Sequence, residues 1–182
     1  REGQAAKAVV EKSRRQLAYA LNSKPEEIIF TSSGSESNNM VLKGVLNPGD
    51  HFITSSYEHP AILKVLPFLE SKNISTTIVN PDNNGLIHPS DIEENINANT
   101  RLISIMWVNN ELGTINPISE IGSIARNRNI LFHSDAVQAL GKIYINVDET
   151  PVDFLSMSAH KLYGPKGIGA LYKRGRSKLE PL

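Results

Sequence analysis

Short apolar runs alternate along the chain with longer amphipathic segments. Residues 5–21 space apolar side chains among charged ones with a helical period, which predicts a first helix. Seven later runs, rich in β-branched residues, predict strands at 28–31, 51–54, 76–79, 102–108, 130–133, 154–157 and 168–172. Helical spacing between them predicts helices at 37–46, 60–72, 89–96 and 118–127, and a short helix from 137 to 140.

Strands that are apolar throughout and alternate with helices are typical of a mainly parallel sheet covered on both faces. The sequence therefore predicts an α/β fold with helices on both faces. Only a short Gly-rich loop separates the last two predicted strands, which leaves room for one of them to run antiparallel. The 182 residues contain no repeat, low-complexity tract or linker and suit a single domain.

Composition narrows the classes of partner. Lys plus Arg and Asp plus Glu both number 19, so no net charge draws the chain to nucleic acid or to a membrane surface, and a small-molecule partner is expected. The chain has no cysteine, which excludes disulfides and thiolate metal sites and favours a reducing compartment. No metal centre is predicted. The first residues lack the apolar core of a signal peptide, and no run reaches membrane-spanning length, so a cytoplasmic location is expected.

Ligands of open α/β sheets lie outside the carboxyl ends of the strands, so the loops at those ends are the places to look for chemistry. The loop after the first strand is small and polar and contains Gly34 and Ser35. Free N–H groups at a helix start, with a glycine that permits close approach, form a phosphate site. The alternative is simple helix capping by Ser33 or Ser35. Neither a Walker lysine nor a GxGxxG pattern is present, so an ordinary nucleotide site is not indicated.

Four further loops carry candidate side chains, each with a plainer interpretation. His59 precedes a proline and could be purely structural, and Asn110 lies in what is also a turn signal. Asp135 ends a strand, with Gln138 three residues on, and could be a helix N-cap. Lys161 follows an apolar strand in a Gly-rich setting, where a lysine is either solvated or, if desolvated, nucleophilic.

Taken together these loops suit pyridoxal phosphate. That cofactor requires a lysine for its Schiff base, an acid against its pyridine nitrogen and a cradle for its phosphate. Lys161, Asp135 and the loop at 33–37 supply the three requirements, which predicts a pyridoxal-phosphate enzyme.

Five segments carry a resemblance to a known family. They read FTSSGSESNN at 30–39, EH at 58–59, VNNELG at 108–113, HSDAVQ at 133–138 and SAHKLYGPKG at 158–167. In order and spacing the chain resembles the cysteine desulfurases, within the class V aminotransferases of fold-type I, and the last segment is highly specific. The resemblance implies the large, pyridoxal-phosphate-binding domain of such an enzyme over residues 1–182.

The resemblance also implies a role for each matching residue. Lys161 would carry the cofactor, His59 would stack on its ring and assist proton transfer, and both would be catalytic. Asp135 would pair with the pyridine nitrogen, Gln138 with the phenolic oxygen, and Asn110 would lie by the ring and the substrate carboxylate. The phosphate would be held by Gly34, Ser35, Ser158 and His160, with Ser35 standing where relatives often carry threonine.

Enzymes of this family convert L-cysteine to L-alanine and pass the sulfur to an enzyme cysteine. The family's cysteine and its carboxylate-binding arginine belong to a later, smaller domain, and neither is found in this chain. The family's first segment is also missing, so we expect a fragment that cannot complete the reaction alone. A homodimer and a sulfur-acceptor or scaffold protein are the implied partners, for iron–sulfur assembly or tRNA thiolation.

Two alternatives remain. A selenocysteine lyase or other class V enzyme shares the cofactor apparatus and is distinguished by activity on selenocysteine but not cysteine. A non-catalytic binding or interaction module would keep the fold but lose the lysine, aspartate and histidine. All three are intact here at positions 161, 135 and 59.

Overall fold

A computed structural model describes residues 2–175 and 177–180. The two ends of the predicted domain, residues 1 and 182, lie outside the described residues. The described strands are β1 (Ile28–Thr31), β2 (His51–Ser55), β3 (Ser75–Val79), β4 (Thr100–Ser104), β5 (Leu131–Asp135), β6 (Phe154–Ser158) and β7 (Gly169–Lys173). The helices are α1 (Glu2–Leu21), α2 (Gly34–Val45), α3 (Pro60–Leu63), α4 (Leu66–Ser71), α5 (Pro89–Glu94) and α6 (Ile118–Asn127). Short 3₁₀ helices cover Pro25–Glu27 and Ala159–Leu162.

The strands form one seven-stranded sheet in the order β1-β7-β6-β5-β4-β2-β3. Pairs β2–β3, β2–β4, β4–β5 and β5–β6 are parallel, whereas β7 runs antiparallel to both β6 and β1. The mainly parallel α/β sheet is therefore confirmed, and the last strand is the antiparallel one. Because β1 runs the same way as β6, all strands except β7 direct their carboxyl ends to one edge.

Helices cover both faces of the sheet because neighbouring strand residues point to opposite sides. Phe52, Leu102 and Phe154 pack in one buried cluster with residues of α2, α3 and α4. The residues that follow them, Ile53, Ile103 and Leu155, pack in the other cluster with residues of α1, α5 and α6. This alternation explains why the strands read as continuous apolar runs.

The predicted helix over 60–72 is divided in two. Helix α3 ends at Leu63 and α4 begins at Leu66, with Pro67 in the first turn of α4. Pro67 has no N–H, and in a continuous helix its ring would meet the carbonyl of Leu63. The apolar periodicity persists across this break, which is why the pattern alone predicted one helix.

The predicted short helix at 137–140 is wrong. The segment forms turns in which the N–H groups of Ala139 and Leu140 both donate to the carbonyl of Ala136. Gly141 follows with a positive φ of 74°, a conformation in which an α-helix does not continue. The interpretation of Asp135 as a helix N-cap fails with this helix.

The predicted strand over 102–108 is too long. Regular pairing of β4 ends at Ser104, although the N–H groups of Ile105 and Trp107 still donate to carbonyls of β5. On the side of the chain that faces β2, the N–H of Met106 donates to the side-chain carboxyl of Glu58 instead of to a β2 carbonyl. The chain thus leaves β2 at the point where the candidate loops begin.

Candidate active site

A cavity of about 170 Å³ opens where the loops after β1, β2, β4, β5 and β6 meet. That volume exceeds what a single water occupies. It is lined by Ser33, Gly34, Ser35, Asn38, His59, Met106, Asn110, Asp135, Val137, Gln138, Ser158, His160 and Lys161. All nine residues predicted for the cofactor site line it, although they come from five separate loops.

The start of α2 forms one wall. The Ser33 hydroxyl caps the helix by accepting the Glu36 N–H at 3.1 Å, so the capping interpretation holds for Ser33. Helix α2 begins three residues earlier than predicted, which places Gly34 and Ser35 in its first turn. Their N–H groups have no intrahelical acceptor because the chain before them is not helical. These donors make the wall suited to an anion.

Gly34 lets this helix start approach the loop after β5. A Cβ at position 34 would lie 2.6 Å from the Cγ2 of Val137, closer than side-chain carbons come to each other. The absence of a side chain at Gly34 therefore sets the distance between the start of α2 and the Asp135 loop.

Asp135 is the buried acid of the cavity, with 5% of its surface exposed. Its Oδ2 accepts the Nδ2–H of Asn38 at 2.7 Å and its Oδ1 accepts the Val137 N–H at 3.0 Å. The pKa of Asp135 lies above its usual value because burial outweighs the hydrogen bonds from Asn38 and Val137 and the nearby His59, which act to lower it. Asp135 bonds the turn that follows β5, not a helix start.

His59 has a structural role and also faces the cavity. Its Nδ1 accepts the Ala61 N–H at 3.0 Å and so caps α3. With Nδ1 as acceptor, the neutral ring carries its proton on Nε2. The ring is exposed on the cavity side. The structural interpretation and the functional prediction are therefore compatible for this residue.

Buried hydrogen bonds of Glu58 hold the loop that carries His59 in place. The Glu58 Oε1 accepts the Ser55 hydroxyl at 2.6 Å and the Met106 N–H at 2.9 Å. Burial raises the pKa of Glu58 to about 8. A neutral acid thus ties the end of β2 to the end of β4 at neutral pH.

Lys161 lies in the 3₁₀ helix that follows β6, next to two other predicted residues. The Ser158 hydroxyl and the Nδ1 of His160 are 2.7 Å apart and share a hydrogen bond. Lys161 is exposed and lines the same cavity as the start of α2. The order of the strands brings it there, because β6 lies next to β5 with its Asp135.

Asn110 and Gln138 complete the predicted set. Asn109, before Asn110, is buried and its Oδ1 accepts the N–H groups of Glu111 and Leu112, which builds the turn expected from the sequence. Asn110 itself is exposed at the cavity. The Oε1 of Gln138 accepts Lys142 Nζ at 2.6 Å, which leaves its amide nitrogen available to a ligand.

Sequence reasoning missed three lining residues, Asn38, Met106 and Val137, as parts of the site, whereas Ser33 belongs to the loop at 33–37 that was predicted as the phosphate cradle. Asn38 is the most polar of them, and a signal for it existed. It follows Gly34 by four residues, which is one helical turn and the same face. The later start of the predicted helix hid this relation.

Further from the cavity, His133 is buried between the hydroxyls of Ser104 and Ser156, at 2.7 and 2.9 Å. Burial lowers the pKa of His133 to about 3, so the ring is neutral near pH 7. Within residues 2–175 and 177–180, no group of three or more acidic or histidine side chains is placed to hold a metal. None of the helices described is long and apolar enough to cross a membrane.

Comparisons with known proteins agree on one family. The family model described as aminotransferase class-V matches residues 1–182. Cysteine desulfurase IscS of Dictyoglomus turgidum is 48% identical over 184 residues, covering 99% of this chain and 47% of the relative. The mitochondrial cysteine desulfurase of Saccharomyces cerevisiae is 49% identical over 179 residues, covering 95% of this chain and 36% of the relative.

Solved structures give the same result for the fold. A structure described as SspA in complex with cysteine superposes with a TM-score of 0.96 at 46% identity, covering 100% of this chain and 54% of that one. A NifS-like protein superposes with a TM-score of 0.94 at 38% identity, covering 99% of this chain and 51% of that one. The chain spans about half the length, or less, of the relatives it matches.

Proposed function

The chain belongs to the aminotransferase class-V family, a family of pyridoxal-phosphate enzymes, and from that premise we propose that residues 1–182 are the cofactor-binding domain of a cysteine desulfurase. The observation that carries the proposal is the meeting of all nine predicted residues around one cavity. Similarity to enzymes named cysteine desulfurase over nearly the whole chain supports the choice within the family.

The cavity fits pyridoxal phosphate in its chemistry. It offers the amine of Lys161, the buried acid Asp135, and the N–H groups of Gly34 and Ser35 in a helix start that no side chain at position 34 obstructs. A lysine, an acid and an anion cradle are the three groups that this cofactor needs from a protein. When bound, the cofactor supplies a sink for the electrons of bonds broken at the substrate α-carbon.

Each residue then has a separate task. Lys161 would hold the cofactor through Nζ, and Asp135 would keep a proton on the pyridine nitrogen. The phosphate would be held by the residues at the α2 start and beyond β6, namely Gly34, Ser35, Ser158 and His160. The His59 ring would lie against the cofactor ring, and its Nε2 would move protons. Gln138 would donate to the phenolic oxygen, and Asn110 would bind beside the substrate carboxylate.

The substrate proposed is L-cysteine, and the solved relative described as bound to cysteine supports it. The reaction converts L-cysteine and a thiol to L-alanine and a persulfide, with cleavage of the carbon–sulfur bond. The chain contains no cysteine, so the thiol that receives the sulfur lies outside these 182 residues. A homodimer, and a protein that accepts the sulfur, are the partners proposed.

Reductive trapping tests the assignment. The full chain is incubated with pyridoxal phosphate, reduced with borohydride, digested and mapped by mass spectrometry. We expect one modified peptide, containing Lys161, and its loss in Lys161→Arg. The matched control is Lys166→Arg, which removes an exposed lysine five residues away and keeps the label. A label on another lysine, or none in a folded sample, would contradict the proposal.

A further inference from the structure

Asn38 is the buried polar residue of the cavity to which the proposed chemistry gives no task. It lies on α2 with 1% of its surface exposed, beneath the helix start that contains Gly34. Its Nδ2–H donates to the Oδ2 of Asp135 at 2.7 Å, across 97 residues of sequence. This bond joins helix α2 directly to the buried acid.

The bond favours one charge state of Asp135. An N–H donor bonds more strongly to an ionised carboxylate than to a neutral acid, and burial works in the opposite direction. No Lys or Arg forms an ion pair with Asp135 among the residues described. The side chain that donates a hydrogen bond to the Asp135 carboxylate is therefore that of Asn38. The backbone N–H of Val137 donates to the other carboxylate oxygen.

The orientation of the Asn38 amide depends in turn on Asp135. Its Oδ1 is buried and has no hydrogen-bond partner among the described residues. Only the bond to Asp135 therefore fixes which way the amide faces. Turned over, the amide would direct its oxygen at a carboxylate oxygen, an arrangement that is favourable only when Asp135 holds a proton.

We propose that Asn38 is the positioning residue of Asp135, and that its amide favours the ionised form of this carboxylate and orients it toward the cavity. The proposal rests on the proposed function only for the partner of Asp135, the pyridine nitrogen. The charge of Asp135 itself is a property of the chain and can be measured without the cofactor.

Two variants separate the amide from the packing around it. Asn38→Ala removes the donor, and Asn38→Asp keeps the shape but places a second carboxyl beside the first. Asn39→Ala is the matched control on the same helix, since Asn39 donates to the backbone carbonyls of Ser35 and Ala61 and does not contact Asp135. Circular dichroism and thermal unfolding check that each variant folds, and the shape-conserving Asn38→Asp serves if Asn38→Ala does not.

The first readout is carbon-13 NMR titration of the aspartate carboxyls in the cofactor-free full chain, with the Asp135 signal assigned by Asp135→Asn. We expect the pKa of Asp135 to rise in Asn38→Ala. A larger rise is expected in Asn38→Asp, because two adjacent carboxyls share one proton. An unchanged titration in both variants would overturn the proposal.

The second readout is the holoenzyme. In Asn38→Ala we expect kcat for cysteine to fall roughly 10-fold, with its alkaline-side pH profile and the bound cofactor's absorption band shifted as Asp135 shifts, and with KM changed less than about 2-fold. A fall in kcat with a rise in KM, and with no spectral or pH change, would indicate a structural role only and reject the proposal. If the Asp135 titration shifts but reductive trapping misses Lys161, the positioning role stands and the proposed function fails.

Discussion

At the scale of single residues, the cavity depends on an acid whose charge is stabilised by neutral donors. Asp135 is buried and receives hydrogen bonds from Asn38 and Val137. Hydrogen bonds to an ionised group are stronger than those between neutral groups and offset part of the cost of burial. A positive partner beside Asp135, such as the protonated ring nitrogen of the proposed cofactor, would favour the ionised form further.

Replacing this acid tests that role. In Asp135→Asn the amide keeps the size but carries no charge, so the ring nitrogen loses its counter-charge. We expect desulfuration by the holoenzyme to fall by roughly 100-fold or more, the scale of losing one electrostatic partner at a reacting centre. Borohydride trapping at Lys161 should persist, because attachment does not require the acid.

The control for this change is Asp148→Asn, which alters an exposed aspartate in a loop away from the cavity. Steady-state assay with cysteine, beside the trapping experiment, checks both parts. Activity within 3-fold of the parent in Asp135→Asn would show that the acid is not required.

At the scale of elements, the position of the α2 start is set by its contact with the turn after β5. Helix, strand and turn meet at Gly34 and Val137, where a Cβ on residue 34 would lie 2.6 Å from Val137 Cγ2. Valine has little freedom about χ1, so it cannot easily move aside. The helix start itself must shift when residue 34 gains a side chain.

This contact predicts a result for a double-mutant cycle. Gly34→Ala should weaken pyridoxal-phosphate binding by about 10-fold, because displaced N–H groups no longer meet the phosphate. Val137→Ala removes the opposing methyl groups, and the double variant should recover most of the affinity. Titration of cofactor-free protein, followed by absorbance, measures all four affinities. Additive losses in the double variant would show that the contact does not set the helix position.

At the scale of the whole molecule, two buried groups that do not line the cavity shape the dependence of folding stability on pH. Burial raises the pKa of Glu58 from 4.5 to about 8. The folded protein therefore holds this proton more tightly than the unfolded chain does. Glu58 contributes its full stabilisation below pH 4.5 and loses it as the pH rises toward about 8.

His133 acts in the opposite direction. Burial lowers its pKa from 6.5 to about 3, so the unfolded chain binds the proton more readily. Its contribution is complete above pH 6.5 and is lost as the pH falls toward about 3. The two dependences together favour greatest stability at mildly acidic pH.

The variant Glu58→Gln separates the contribution of Glu58 to the pH dependence of stability from that of His133. Glutamine can accept the same bonds from Ser55 and Met106 but has no proton to lose. The midpoint of thermal unfolding should fall less between pH 5.5 and 8.5 in Glu58→Gln than in the parent. Glu26→Gln, at an exposed carboxyl, is the matched control and should keep the parent's fall. An equal fall in Glu58→Gln and the parent would contradict the role of Glu58.

The sequence by itself determined the α/β class, the strands within a few residues, and nine residues that line the cavity. It could do so because buried parallel strands are apolar throughout, and because functional residues of such sheets follow the strands directly. The motif SAHKLYGPKG, with its Lys161, identified the family before any geometry was known. Each of these features depends on residues that are close together in the sequence, so a local pattern is enough to predict it.

Tertiary structure alone decided the features that depend on contacts across the chain. A turn follows Asp135 where the sequence predicted a helix. Pairing between β4 and β2 stops where the Met106 N–H donates to the Glu58 carboxyl and not to β2. The bond between Asn38 and Asp135 joins residues 97 apart, and no periodicity encodes it. The order of strands in the sheet brings such residues together, since hydrophobic patterning specifies which face of a strand is buried but not which strand lies beside it.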